Sequence, residues 1–176
     1  MAATVLIERF TGSGAGTGAD ITGASTRMKQ ADNGTADTNN PVPAVTTSYS
    51  FWVSTRLHCT VAPSNLINNL KWYSDGVSAG TGLTVNAAKA STGANAGYRQ
   101  ATTIGLALNN TNHTGLDVAS PTDASTYTSG SPLSITGSTS TAIVFGDFVV
   151  YQLAATSNAA PGAMSARTYT WQYDET

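Results

Sequence analysis

The chain has 176 residues, only 10% of them charged, and a formal net charge of −2; an ordinary soluble domain carries about 25% charge. Its polarity comes instead from 28 Thr, 18 Ser and 12 Asn, beside 17 Gly. Three lysines (Lys29, Lys71, Lys89) and that net charge exclude a phosphate-neutralising, nucleic-acid-binding surface. No apolar run approaches the roughly 20 residues of a membrane-spanning helix, and two glutamates exclude a coiled coil.

Residues 4–10, β-branched and followed by a glycine-rich stretch, predict a first strand. Gly12, Gly14, Gly16 and Gly18 then recur at every second position, as in a flexible loop or a hairpin tip. Residues 21–30 read as a returning strand with Thr22, Thr26 and Met28 on one face. Residues 31–40 are turn chemistry ending at Asn40-Pro41-Val42-Pro43, where an Asn before Pro is expected to be extended. The N-terminus has no basic region before its apolar stretch, and Glu8 and Arg9 interrupt that stretch. A secretory signal is therefore not expected, and synthesis and folding in a cytoplasm are.

Residues 49–61 alternate strictly: Tyr49, Phe51, Val53, Thr55, Leu57, Cys59 and Val61 against Ser50, Trp52, Ser54, Arg56, His58 and Thr60. A helix would spread that pattern round its circumference, so it describes one long half-buried strand or two joined at a bend. Residues 65–70 can form a helical turn. Leu70 and Trp72 then share a strand face, closed by the turn dipeptide Asp75-Gly76. Alternation recurs at Leu83, Val85 and Ala87, and again at Ile104, Leu106 and Leu108. Residues 109–132 form a polar surface excursion anchored by Leu116 and Val118. From Ala142 a strand runs through a kink at Gly146 and sets Val149, Tyr151, Leu153 and Ala155 on one side. The last strand puts Tyr169, Trp171 and Tyr173 on one face. The whole predicts a single all-β domain over 1–176. It is an antiparallel β-sandwich of Ig-like or jelly-roll-like type with Greek-key connections and long Gly/Thr/Ser-rich loops. The stretch 1–40 supplies an N-terminal strand and a flexible loop available for subunit contacts.

No motif in the chain assigns a catalytic, cofactor or metal residue. Gly14-x-Gly16-x-x-Ala19 imitates a dinucleotide fingerprint, but the residues after it are poor helix formers and no βαβ pattern follows. His58, His113 and the lone Cys59 have no metal-ligand spacing, and no serine sits in a Gly-x-Ser-x-Gly elbow. Cys59 reads as a buried core thiol. The stretch 32–37 lacks the spacing of a calcium loop and reads as a turn. Trp72 and Trp171 fall on core faces. Trp52 lies on the polar face of its strand and is the candidate exposed aromatic, for an interface or a sugar ring.

The assembled pattern resembles small structural proteins of tailed-phage virions, the head-decoration and tail components with an Ig-like sandwich. The resemblance is carried by the first strand with its Gly/Thr loop, by Asn40-Pro41-Val42-Pro43 leading to Tyr49-Ser50-Phe51-Trp52, and by residues 66–76 (Leu66 to Gly76). Phe148-Val149-Val150-Tyr151-Gln152-Leu153, Ala160-Pro161-Gly162 and Trp171-Gln172-Tyr173-Asp174-Glu175 complete it. It implies a non-enzymatic protein assembled in a host cytoplasm and used in the virion, foremost as a capsid-decorating stabiliser. A tail or head-fibre component, or a carbohydrate-binding adhesive module, is the alternative. Its partners would be copies of itself and a capsid or tail protein, with no cofactor, nucleic acid or membrane. The expected interface residues are Val5, Ile7, Arg9, Trp52 and Arg56.

Overall fold

The structure, a computed structural model, describes residues 2–92 and 97–176. Met1 and part of the small-residue stretch before Ile104 lie outside the described residues. Ten strands form in chain order: β1 (Thr4–Thr11), β2 (Thr17–Asp20), β3 (Ser48–Tyr49), β4 (Val53–Val61), β5 (Ile67–Ser74), β6 (Leu83–Ala90), β7 (Thr122–Asp123), β8 (Leu133–Ser134), β9 (Val144–Ala155) and β10 (Tyr169–Glu175). A 3₁₀ turn, Ala124–Thr126, follows β7 and is capped by the Asp123 carboxylate. The strands make two antiparallel sheets. The large one has seven strands in the order β2-β1-β4-β9-β6-β7, with β3 also on β9, and the small one is β10-β5-β8. The predicted all-β sandwich is the observed fold.

The glycine series is a hairpin tip: Gly12, Gly14 and Gly16 take positive φ, and β2 returns against β1 from Thr17. The returning strand is thus residues 17–20 and not 21–30, because the hairpin bonds run out at Ile21 N to Ile7 O. The 49–61 alternation is broken once. β3 and β4 both lie on the same edge of β9, with Tyr49 opposite Ala154 and Val53 opposite Tyr151. At the break, Ser50 N donates to Leu153 O and Leu153 N to the Ser50 hydroxyl, so side chain replaces ladder. The helical turn expected at 65–70 is instead the start of β5. It opens with a bulge at Asn69 (φ 51), whose side-chain amide donates to Asp174. The kink at Gly146 is real: φ is 78, and β9 slips against β4 between the pairs Thr55–Val149 and Leu57–Phe145.

Odd-numbered residues of β4 and β9 face the small sheet. Val53, Leu57, Cys59, Val149 and Tyr151 are buried there against Ile67, Leu70 and Trp72. Cys59 is the expected core thiol. Trp72 stacks on both Tyr151 and Tyr169, at centroid distances of 6.2 and 5.2 Å, and the two tyrosines touch each other at 5.0 Å; such pairs add about 1 kcal/mol each beyond their buried area.

The even-numbered face is where the sequence reading falls short. It carries a second core, formed by Phe148, Val150, Trp52, Ala88 and Ala90. Residues 97–118 cover it without forming a strand, burying Tyr98, Ala101, Leu108 and Leu116. The alternation at Ile104, Leu106 and Leu108 is therefore not a strand. Ile104 is exposed, and Leu108 is buried by an irregular path. Leu116 anchors the excursion as expected, but Val118 is 47% exposed and does not. The large sheet is thus covered on one face by the small sheet and on part of the other by a loop layer.

Candidate functional site

Register places the five expected interface residues on two different faces. Val5, Ile7 and Arg9 pair with Cys59, Leu57 and Thr55, so they point toward the small sheet. Val5 and Ile7 are half-buried against the main core, and Arg9 is 1% exposed. Arg56 and Trp52 belong to the opposite face. Trp52 was expected to be exposed and is 3% exposed, because the loop layer lies over it and its indole N–H donates to Arg99 O at 2.7 Å. Arg9 and Trp52 are therefore corrected from surface to interior. The alternation placed Trp52 on the right face; no periodic signal showed that the face is covered. β4 takes one edge of β1 along its length, and β2 takes the other from Glu8 to Thr11.

Arg9 is an unusual interior residue. Its Nη1 reaches Arg27 O at 3.4 Å, and its Nε has no hydrogen-bond partner among the described residues. Burial lowers the pKa of the guanidinium, and the nearby Tyr151, Asp32 and Tyr98 partly offset this. Arg56 bonds to Gly146 O and lies over the Phe148 ring, 5.1 Å from its centroid. It thus closes the open half of the outer face at the border of the loop layer. Beside it, Glu8 holds His58 through Nδ1 at 2.7 Å. Leu6, His58 and Val144 form a half-exposed row across β1, β4 and β9, next to the Glu8–Arg56 pair.

His58 and His113 do not share a site. His113 is fully buried under the loop layer, edge-on to Trp52 at 5.1 Å. Among the described residues no hydroxyl bonds to either ring, and no three His, Cys, Asp or Glu side chains come together. In the stretch read as a turn, Asp37 pairs with buried Lys29 at 2.9 Å and accepts Asn39 N. Asp32 accepts Gly12 N and the Gln100 amide. Trp72 is buried and Trp171 half-buried, so with Trp52 they build no flat exposed aromatic platform. A shallow groove between residues 79–83 and 158–165 is lined mainly by small residues, with Leu83 and Met164 at its floor and rim.

The feature the molecule does present is a strand edge. β10 pairs with β5 on one side only. Asp75 N donates to Thr168 O near one end, and Leu66 and Thr176 exchange both backbone bonds at the other. The even-numbered residues of β10 therefore turn their backbone groups to β5, and Tyr169, Trp171, Tyr173 and Glu175 turn theirs outward. Among the described residues no backbone hydrogen bond joins that outer side to another segment. The other sheet ends are much shorter: β2 has four residues, and β7 and β8 two each. No signal in the sequence separated β10 as an edge from β5 as its interior neighbour.

Comparison with protein-family models, with curated proteins and with solved structures finds no match for this chain.

Proposed function

We propose that the protein is a non-enzymatic structural component of a virus particle, foremost a capsid-decorating protein that binds the head surface and stabilises it. The observation that carries the reading is the open edge of β10. A seven-residue strand without Pro or Lys offers a row of unpaired backbone groups to a strand from a neighbouring subunit. A surface of low charge and many hydroxyls suits the same task, because close packing then desolvates few ions. The resemblance to tailed-phage structural proteins supplies the setting, and the head placement rests on that resemblance alone. Such a protein works by area: a specific contact needs about 1,000 Å² or more, summed over many copies on a symmetric shell.

The test is reconstitution. Particles lacking the protein should bind the purified chain and gain in the temperature at which they release their genome. Glu175→Pro removes an outward N–H that β5 does not use together with the carboxylate that accepts Ala3 N, and it should bind more weakly than Glu175→Ala, which loses the carboxylate alone. Particles that neither bind the chain nor gain stability would sink the proposal.

A further inference from the structure

The loop layer over the outer face holds a group that the proposed function does not use. His113 is fully buried, and neither Nδ1 nor Nε2 has a hydrogen-bond partner among the described residues. Its only contact able to favour a proton is its own carbonyl, which already accepts Leu116 N at 3.1 Å. Its backbone N–H donates to Asn109 O at 2.8 Å, so the residue sits in a tight turn. Among the described residues the elements around it offer no anion to the ring. Trp52, just before β4, lies edge-on to the ring, and its cluster is completed by Phe148 and Val150 of β9. Residues 97–101 contribute Arg99, whose positive charge opposes a second one. Asp117 and Lys89, at the end of the layer, pair with each other at 3.5 Å. Burial is the main cause that brings the His113 pKa down to about 4.

The layer is also attached differently from the sandwich. One isolated bridge, Ala90 to Leu116, links it to β6. Beside it run two backbone bonds, Asp117 N to Lys89 O and Thr92 N to Gly115 O, and otherwise side-chain bonds: Trp52 to Arg99 O, Tyr98 hydroxyl to Gly12 O, Gln100 to Asp32, Ser91 and Thr92 to Asp117, and Gln152 to Leu106 O and Leu108 N. The core beneath it is separate from the core between the sheets. Its opening exposes one small cluster and leaves both sheets paired, so it lies at the low end of local stability.

We propose that His113 is the trigger of an acid-released latch: protonating its ring lifts residues 97–118 off the outer face of the large sheet while the two-sheet sandwich stays folded. This does not rest on the assembly proposal. The sign follows from linkage. The exposed imidazole binds its proton near pH 6.5 and the buried one only near pH 4. Opening therefore takes up a proton, and is favoured progressively as pH falls through that window and no further below it. A difference of about 2.5 pKa units corresponds to an increase of about 300-fold in the opening constant. Asp117 acts in the same layer but lower. Burial raises its pKa, yet Ser91, Thr92 and Lys89 hold it below the ordinary carboxylate range, so its contribution goes only below the latch's window.

Hydrogen exchange of the full chain, corrected for intrinsic rates and followed from about pH 7.5 down to about pH 4, tests this. Peptides from 97–118 should lose protection across the window while those of β5 and β10 keep theirs. In His113→Phe, which keeps a ring against Trp52, they should stay protected throughout. Should that variant fold poorly, ring titration of the wild type by NMR replaces it, and the His113 midpoint should lie far below that of an exposed imidazole. Equal loss in wild type and His113→Phe, retained protection at pH 4, or an ordinary His113 midpoint overturns the proposal.

Discussion

Gln152 shows how one polar side chain can organise two layers. It is fully buried on β9, donates through Nε2 to Ser50 O and Leu106 O, and accepts Leu108 N, each at 2.7 Å. Those three backbone groups sit at the β3–β4 break and in the irregular layer, where no ladder serves them. Replacing the amide by an isosteric apolar group leaves all three buried and unpaired, and each such group costs about 1–3 kcal/mol. Gln152→Leu should therefore lower the unfolding free energy by about 3 kcal/mol or more, read from urea unfolding curves. A loss below about 1 kcal/mol would show that water serves these groups. Gln152 is also the residue the sequence hides best. On the pattern Val149, Tyr151, Leu153 it reads as a solvent-facing position, because period-2 logic assigns polarity to the open face. Trp52 was misjudged for the same reason: alternation gives the face of a residue and is silent about what covers that face.

Strand existence followed from pattern, while strand pairing followed from turns and close backbone approaches. β4, β5, β6, β9 and β10 were all legible, since each alternates over several residues or ends at a turn dipeptide. The short β7 and β8 were not, as two residues carry no period. The predicted strand at 21–30 does not form, because after Ile21 N bonds to Ile7 O the chain leaves the ladder of β1. The segment crosses the inner face instead, with Arg27 O over Arg9 and Met28 packed on the core. Glycines mark where elements touch. At Gly137 (φ 142) a Cβ would lie 2.4 Å from the Gly146 Cα, so the chain leading away from β8 rests directly on the β9 bulge. Gly137→Ala should push the two apart and cost about 2 kcal/mol or more. Gly130→Ala, whose Cβ meets nothing closer than 4.0 Å, should cost far less in the same calorimetric comparison.

Over the whole molecule, charge and hydroxyl content point the same way as the sheets. Of eight acidic Asp and two Glu, several are spent inside the chain: Asp117 on Ser91 and Thr92, Asp37 on Lys29, Glu8 on His58, Asp32 on the β1–β2 turn. What is left outside is mostly hydroxyl and amide, with single exposed apolar residues such as Val45, Ile104 and Ile143. Composition made that surface legible. The open edge of β10 became visible only in the register, because an edge strand and an interior one obey the same alternation. A sandwich closed on one side and offering a backbone edge on the other is the shape expected of a subunit that completes its pairing with a neighbour. For the proposed virion role, the most direct measurement is the protein composition of virus particles purified from the source of the chain, by quantitative mass spectrometry. A structural role predicts the chain in many copies per particle, in a number matching a symmetric set of positions on the shell. Particles of full infectivity and stability that contain none of it would contradict the account.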